Sequence, residues 1–169
     1  LNLALKPELM KTLVDKMTDV YLELNDSYFK TLDGRMDIWF FGNDFGSQGG
    51  LLLNRDMWHT LFFDNIRRLT DLAHSYGLKV MMHSCGSVDE LIPDFIEAGV
   101  DILDPIQVTA AGMEPRSLAD RFGGQMVFHG GVDTQGVLPF GTPEEVAAHA
   151  REVIDTLGAK GGYIFAPSQ

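Results

Sequence analysis

Apolar residues recur at helical spacing in five stretches of this chain, and a short apolar run follows each stretch. In the first, Leu9, Met10, Leu13, Val14, Met17, Val20, Tyr21 and Leu24 predict a helix from Pro7 to about Leu32. Pro7 suits its first turn, and Asp33-Gly34 ends it. Met36 to Phe41 then reads as a buried strand, and the four glycines between Gly42 and Gly50 predict a loop. Asn54 is placed to cap the next helix, whose stripe is Trp58, Leu61, Phe62, Ile66, Leu69, Leu72, Ala73 and Tyr76. Gly77 stops that helix, and Leu78 to Met82 is a second strand.

Ser87-Val88-Asp89-Glu90 has the spacing of a capping box ahead of Leu91, Ile92, Phe95 and Ile96. Pro93 predicts either a separate first turn or a kink. Val100 to Leu103 is a third strand, Pro115 to Phe122 a short helix, and Gln125 to Phe128 a fourth strand. Thr142-Pro143-Glu144-Glu145 opens the last helix with a cap, a proline and a Glu that completes the box. Its buried face is Val146, Ala147, Ala150, Val153, Ile154 and Leu157, and Gly162 to Phe165 is the fifth strand.

Helices alternating with strands imply an α/β domain with a parallel sheet and right-handed crossovers. An open doubly wound sheet and part of a (β/α)8 barrel both satisfy this pattern. No Gly-rich dinucleotide fingerprint follows a strand, whereas polar residues follow every one, which points to a partial TIM barrel of about five strands over residues 1–169. A closed barrel of this kind takes about 250 residues. The absent initial Met and the terminal strand are read as a chain cut at both ends.

Composition narrows the partners. Thirteen Lys and Arg against twenty-four Asp and Glu leave a net charge of −11, which argues against a nucleic-acid or anionic-membrane surface. Cys85 is the one cysteine, so no intrachain disulfide forms and a reducing, cytoplasmic setting is expected. No run of 18 apolar residues occurs, so no membrane-spanning helix is expected.

In either fold, ligands bind beyond the carboxyl ends of the strands. Collected there are Asn43 and Asp44, His83 and Cys85, Asp104 and Gln107, His129 with Gly130 and Gly131, Asp133, and Ser168 with Gln169. His83 and Cys85 stand at i and i+2, on one side of an extended segment, and an imidazole with a thiolate suits Zn²⁺. The pair alone is a weak motif, and from composition a buried thiol beside a hydrogen-bonded His is the favoured reading of the same residues. Asp44 is placed as a general base, as a substrate ligand, as a carboxylate orienting His83, or as turn support. His129 is titratable, and the Gly130 and Gly131 amides could receive an anion or simply make a turn. Asn43, Gln107, Asp133 and Ser168 are expected to line a substrate pocket, and Asp104 is read as pocket lining beside Pro105. His59, His74 and His149 fall in helical patterns and read as ordinary helix residues.

The stretch His83-Ser84-Cys85-Gly86-Ser87-Val88, with Leu91-Ile92-Pro93, Glu97-Ala98-Gly99-Val100-Asp101-Ile102-Leu103 and Pro105-Ile106-Gln107, resembles the uroporphyrinogen decarboxylase superfamily. His129-Gly130-Gly131-Val132-Asp133-Thr134-Gln135, Leu138-Pro139-Phe140-Gly141-Thr142-Pro143-Glu144-Glu145-Val146 and Gly161-Gly162-Tyr163-Ile164-Phe165-Ala166-Pro167-Ser168 continue the likeness. The resemblance implies a (β/α)8 barrel of which this chain is the C-terminal half or more. It also implies one of two chemistries. The first is cobamide-dependent methyl transfer, with a corrinoid as methyl donor and zinc held by a His-x-Cys pair and a later Cys. His83 and Cys85 match that pair, while the later Cys falls near Gln169, which leaves Asp44, His129, Gln169 or a group beyond the end as third ligand. The second is decarboxylation of a tetrapyrrole without any cofactor, with Asp44 or His129 assisting protonation. Phe41-Gly42-Asn43-Asp44 departs from the decarboxylase-type Phe-Glu-Ser stretch, which favours the methyltransferase-like branch. A small-molecule or tetrapyrrole substrate, a corrinoid protein and a homodimer are the partners expected, and an incomplete tetrapyrrole-binding fragment is the remaining alternative.

Overall fold

A computed structural model describes residues 2–168. Five strands form one sheet: β1 (Ile38–Gly42), β2 (Lys79–His83), β3 (Ile102–Ile106), β4 (Val127–Val132) and β5 (Tyr163–Pro167). They lie side by side in chain order, and every neighbouring pair is parallel. A doubly wound sheet reverses its strand order at a switch point. This one adds each strand on the same side of the last, so right-handed crossovers place the helices on one face, as in a (β/α)8 barrel.

The helices are α1 (Asn2–Leu5), α2 (Pro7–Leu32), α3 (Arg55–Trp58), α4 (Asp64–Ser75), α5 (Ile92–Glu97), α6 (Pro115–Phe122), α7 (Val137–Phe140) and α8 (Pro143–Leu157). A π-helical segment, His59–Phe63, joins α3 to α4, so the predicted long helix is continuous but changes its winding. The Asn54 side chain accepts from the Met57 amide, and Thr142 and Glu145 complete the expected capping box. The box at Ser87 does not form. A separate 3₁₀ turn runs Asp89–Leu91, without a side-chain cap, and Pro93 falls in the first turn of α5, where it costs no hydrogen bond. Ser87 is buried and its amide donates instead to the Ser47 carbonyl at 2.7 Å, so a loop contact has taken the residue the cap would use.

Each strand runs further than its apolar run. β2 extends through His83, β3 through Asp104 to Ile106, and β4 through His129 to Val132. The apolar run marks residues pressed against the helices, while the parallel ladder continues through polar side chains at the strands' carboxyl ends. Behind the sheet, Val88, Leu91, Ile92, Leu103, Ile106, Phe128, Val153 and Leu157 join one core. Phe45, Trp58 and Phe95 extend it under the Gly-rich loop, with rings at 5.5–6.3 Å.

The apolar stripe of α2 does not enter this core. Of its 26 residues only Thr18 and Phe29 are buried, whereas Leu9, Leu13, Met17, Val20, Tyr21 and Leu24 are exposed. Polar contacts fix the helix against the rest: Asn65 donates to Asp15 at 2.7 Å, Arg68 to Asp19 at 2.5 Å, and the Tyr76 hydroxyl to Asp26 at 2.6 Å. The stripe therefore lines a groove of about 590 Å³ against Trp39, Phe41 and Phe62. No described helix is long and apolar enough to cross a membrane.

The Tyr163 hydroxyl of β5 donates to the Gly130 carbonyl of β4 at 2.6 Å, and burial pushes its pKa up to about 12. Because the folded value lies above the ordinary 10.0, the stability tied to this phenol is complete below pH 10 and is lost as pH rises toward 12. Replacing Tyr163→Phe is expected to cost about 1 kcal/mol at neutral pH. It is also expected to flatten the alkaline fall in urea midpoint relative to the parent. An unchanged alkaline profile would contradict the assignment.

Candidate metal centre

The strand register sets the candidate side chains at one level. Gly42 pairs with His83, and His83 pairs with Asp104. Leu103 pairs with Phe128, which brings His129 level with Asp104 on the next strand. Gly42 is needed beside His83, because a Cβ there would stand 2.8 Å from the His83 Cβ. Asp104 is the hub of the row. Its Oδ2 lies 2.7 Å from His83 Nδ1 and its Oδ1 lies 2.5 Å from His129 Nδ1. The Asp104 carbonyl also accepts from the Ser84 amide at 2.7 Å, so β3 holds both the backbone and the imidazole of the His83 segment.

The Gly-rich loop after β1 crosses directly over the segment after β2. The Asn43 amide donates to the His83 carbonyl at 3.0 Å, the Phe45 amide to Ser84 Oγ at 3.1 Å, and the Ser87 amide to the Ser47 carbonyl. Glycine permits this approach on both sides. A Cβ at Gly46 would lie 2.7 Å from the Cys85 carbonyl, and one at Gly86 would lie 2.7 Å from the Ser47 carbonyl. Gly86 also has φ +81°, a conformation that side chains rarely adopt. Phe45, 2% exposed, roots the loop in the aromatic core.

This crossing carries Asp44 onto the His83–Cys85 pair. Asp44 Oδ1 lies 3.4 Å from His83 Nε2, 3.5 Å from Cys85 Sγ and 3.4 Å from the Cys85 amide nitrogen. One donor atom from each of Asp44, His83 and Cys85 falls within 4.8 Å of the others. Zinc bonds of 2.0–2.3 Å at tetrahedral angles require donors about 3.4 Å apart for N–O and about 3.6 Å for S–O. Both edges from Asp44 match. Among the described residues, Asp44 is the group that joins His83 and Cys85 as a candidate third ligand. His129 joins the cluster through Asp104, and Gln169 lies outside the described residues.

The remaining candidates support the fold around the cluster. Gln107 is buried and its Oε1 accepts from the Gly86 amide at 2.9 Å. Ser168 is buried and donates to the Ile106 carbonyl at 2.7 Å. Asp133 accepts from the amides of Gln135, Gly136 and Val137, which holds its carboxylate in the turn entering α7. A Cβ at Gly130 would meet Pro105 at 3.1 Å, and one at Gly131 would meet Val153 at 2.9 Å, so both glycines serve close packing. Asn43 lines the groove beside α2. Sequence reasoning passed over the joining role of Asp104 and the spacing role of Gly42, for which the signals were an acidic residue and a glycine level with a candidate histidine.

Burial, followed by hydrogen bonding and charge from Asp44, pushes the Cys85 thiol up from its ordinary value. In the absence of a cation the trio therefore holds a protonated thiol beside a carboxylate. A metal ion would displace that proton and satisfy both groups.

The family model described as Uroporphyrinogen decarboxylase (URO-D) matches residues 2–169. No curated protein matches the chain significantly.

In chelator-treated protein, Asp44→Asn is expected to move the Cys85 thiol titration to lower pH, because it removes the neighbouring negative charge. Thiolate absorbance against pH measures this. A midpoint unchanged or raised would contradict the geometry.

Proposed function

Because the chain belongs to the uroporphyrinogen decarboxylase family, we propose that it forms the metal-holding part of a zinc-assisted, corrinoid-dependent methyltransferase. The observation that carries this reading is the three-donor cluster of Asp44, His83 and Cys85, in which both edges from Asp44 have tetrahedral spacing. The resemblance of the His83-Ser84-Cys85 stretch to the methyltransferase-like branch supports the corrinoid part. His83 Nε2, Cys85 Sγ and an Asp44 oxygen would hold the ion and leave a fourth position open. Zinc bound there supplies a Lewis acid that lowers the pKa of a thiol or water in that position.

The chain's own residues do the rest. Asp104 holds the His83 ring by Nδ1, so that Nε2 faces Cys85 and Asp44. Asp44 would balance the charge of an ion, and without one burial and then Asp44 keep the Cys85 thiol protonated. His129, tied to the same carboxylate, has its Nε2 left to take a proton from the acceptor.

The surroundings suit a small neutral or cationic substrate better than a polycarboxylate tetrapyrrole. Arg55 pairs with Asp94, Arg68 with Asp19 and Arg121 with Asp89, away from the cluster. Among the described residues, no Lys or Arg forms an ion pair with Asp44 or Asp104.

Mass spectrometry of the freshly purified intact protein is expected to find about one zinc per site, lost in Cys85→Ala. Methylcobalamin is expected to be demethylated in the presence of a thiol acceptor. A metal-free protein that converts uroporphyrinogen to coproporphyrinogen would overturn this reading in favour of decarboxylation.

A further inference from the structure

We propose that Asp104 is a positioning residue that locks the tautomers of two imidazoles at once. It keeps the proton of both His83 and His129 on Nδ1, so that both Nε2 atoms present bare lone pairs at the strand ends. For the purpose of the His83 lone pair, the inference rests on the metal reading above.

Asp104 spends one oxygen on each ring: Oδ2 on His83 Nδ1 at 2.7 Å and Oδ1 on His129 Nδ1 at 2.5 Å. A carboxylate has no proton to give, so each Nδ1 must donate. A neutral imidazole carries one N–H, so each Nε2 is left as an acceptor. For His83 that atom faces Asp44 Oδ1 at 3.4 Å, within the three-donor cluster. The carboxylate is well placed to dictate this. Its side chain is 12% exposed, and the register of β2, β3 and β4 fixes it between the two rings. The metal-facing pair and His129 are thereby joined through one group rather than set independently.

The chain contains its own contrast. His74 meets Asp101 Oδ2 through Nε2, at 2.7 Å. There the carboxylate calls for the opposite tautomer, with Nδ1 bare. A neighbouring carboxylate alone therefore does not decide the tautomer; the ring atom that the backbone turns toward the carboxylate does.

The test uses the intact protein labelled with ¹⁵N-histidine, stripped of metal by chelator, at about two pH units above the ordinary imidazole pKa of about 6.5. Long-range proton–nitrogen spectra distinguish the tautomers, and His83→Gln and His129→Gln assign the two rings. Both are expected as the Nδ1–H form, with His74 as the Nε2–H form. In Asp104→Asn one oxygen is replaced by a donor amide, so one of the two rings is expected to switch to Nε2–H. Zinc affinity of that variant, measured by chelator competition, is expected to fall about 10- to 100-fold. Finding His83 or His129 in the parent as Nε2–H, or doubly protonated, overturns the proposal, as does an Asp104→Asn protein that keeps both rings as Nδ1–H. Because the tautomers are read without metal, a protein that fails to bind zinc would overturn the functional reading and leave this proposal standing.

Discussion

The close crossing of two backbones at Gly46 and Gly86 is the constraint on which the candidate site depends. The loop after β1 and the segment after β2 come from sequence positions about forty residues apart. They meet because neither Gly46 nor Gly86 carries a Cβ, which would stand 2.7 Å from the opposing carbonyl. Amide-to-carbonyl bonds on both sides of the crossing, from Asn43 to His83 and from Ser87 to Ser47, fix its height. Phe45 prevents the loop from lifting by burying its ring among Trp58, Phe62 and Phe95. Given the crossing, Asp44 has little choice but to stand over His83 and Cys85.

The sheet supplies the complementary half. Parallel register puts His83, Asp104 and His129 at one level on three successive strands. One buried carboxylate between two imidazoles then has a partner on each oxygen without any Lys or Arg. This arrangement concentrates carboxylates, imidazoles and a thiol in one place within a chain that is already acidic. Such a cluster keeps its thiol protonated, and a cation would relieve the repulsion among its acceptors.

The alternation of elements was legible in the periodicity, because each helix keeps its apolar stripe and each strand its apolar run. The strand order then excluded the doubly wound alternative. The strand ends were not legible, since hydropathy reports packing against helices and not the ladder that carries β3 through Asp104 and β4 through His129. The stripe of α2 misleads for a related reason: periodicity says that a face is apolar and does not say what it meets. His83 and Cys85 stood out by their i and i+2 spacing, whereas the approach of Asp44 to that pair, rather than of His129, required the crossing. Asp104 looked like ordinary pocket lining because nothing local in sequence reveals that two histidines, 21 residues before it and 25 residues after it, share its carboxylate.

X-ray absorption at the zinc edge on the intact protein tests most directly whether Cys85, His83 and Asp44 converge on a single ion. One sulfur scatterer at about 2.3 Å is expected, with nitrogen and oxygen at about 2.0–2.2 Å. A first shell made only of nitrogen and oxygen would place the ion away from Cys85 and contradict the account.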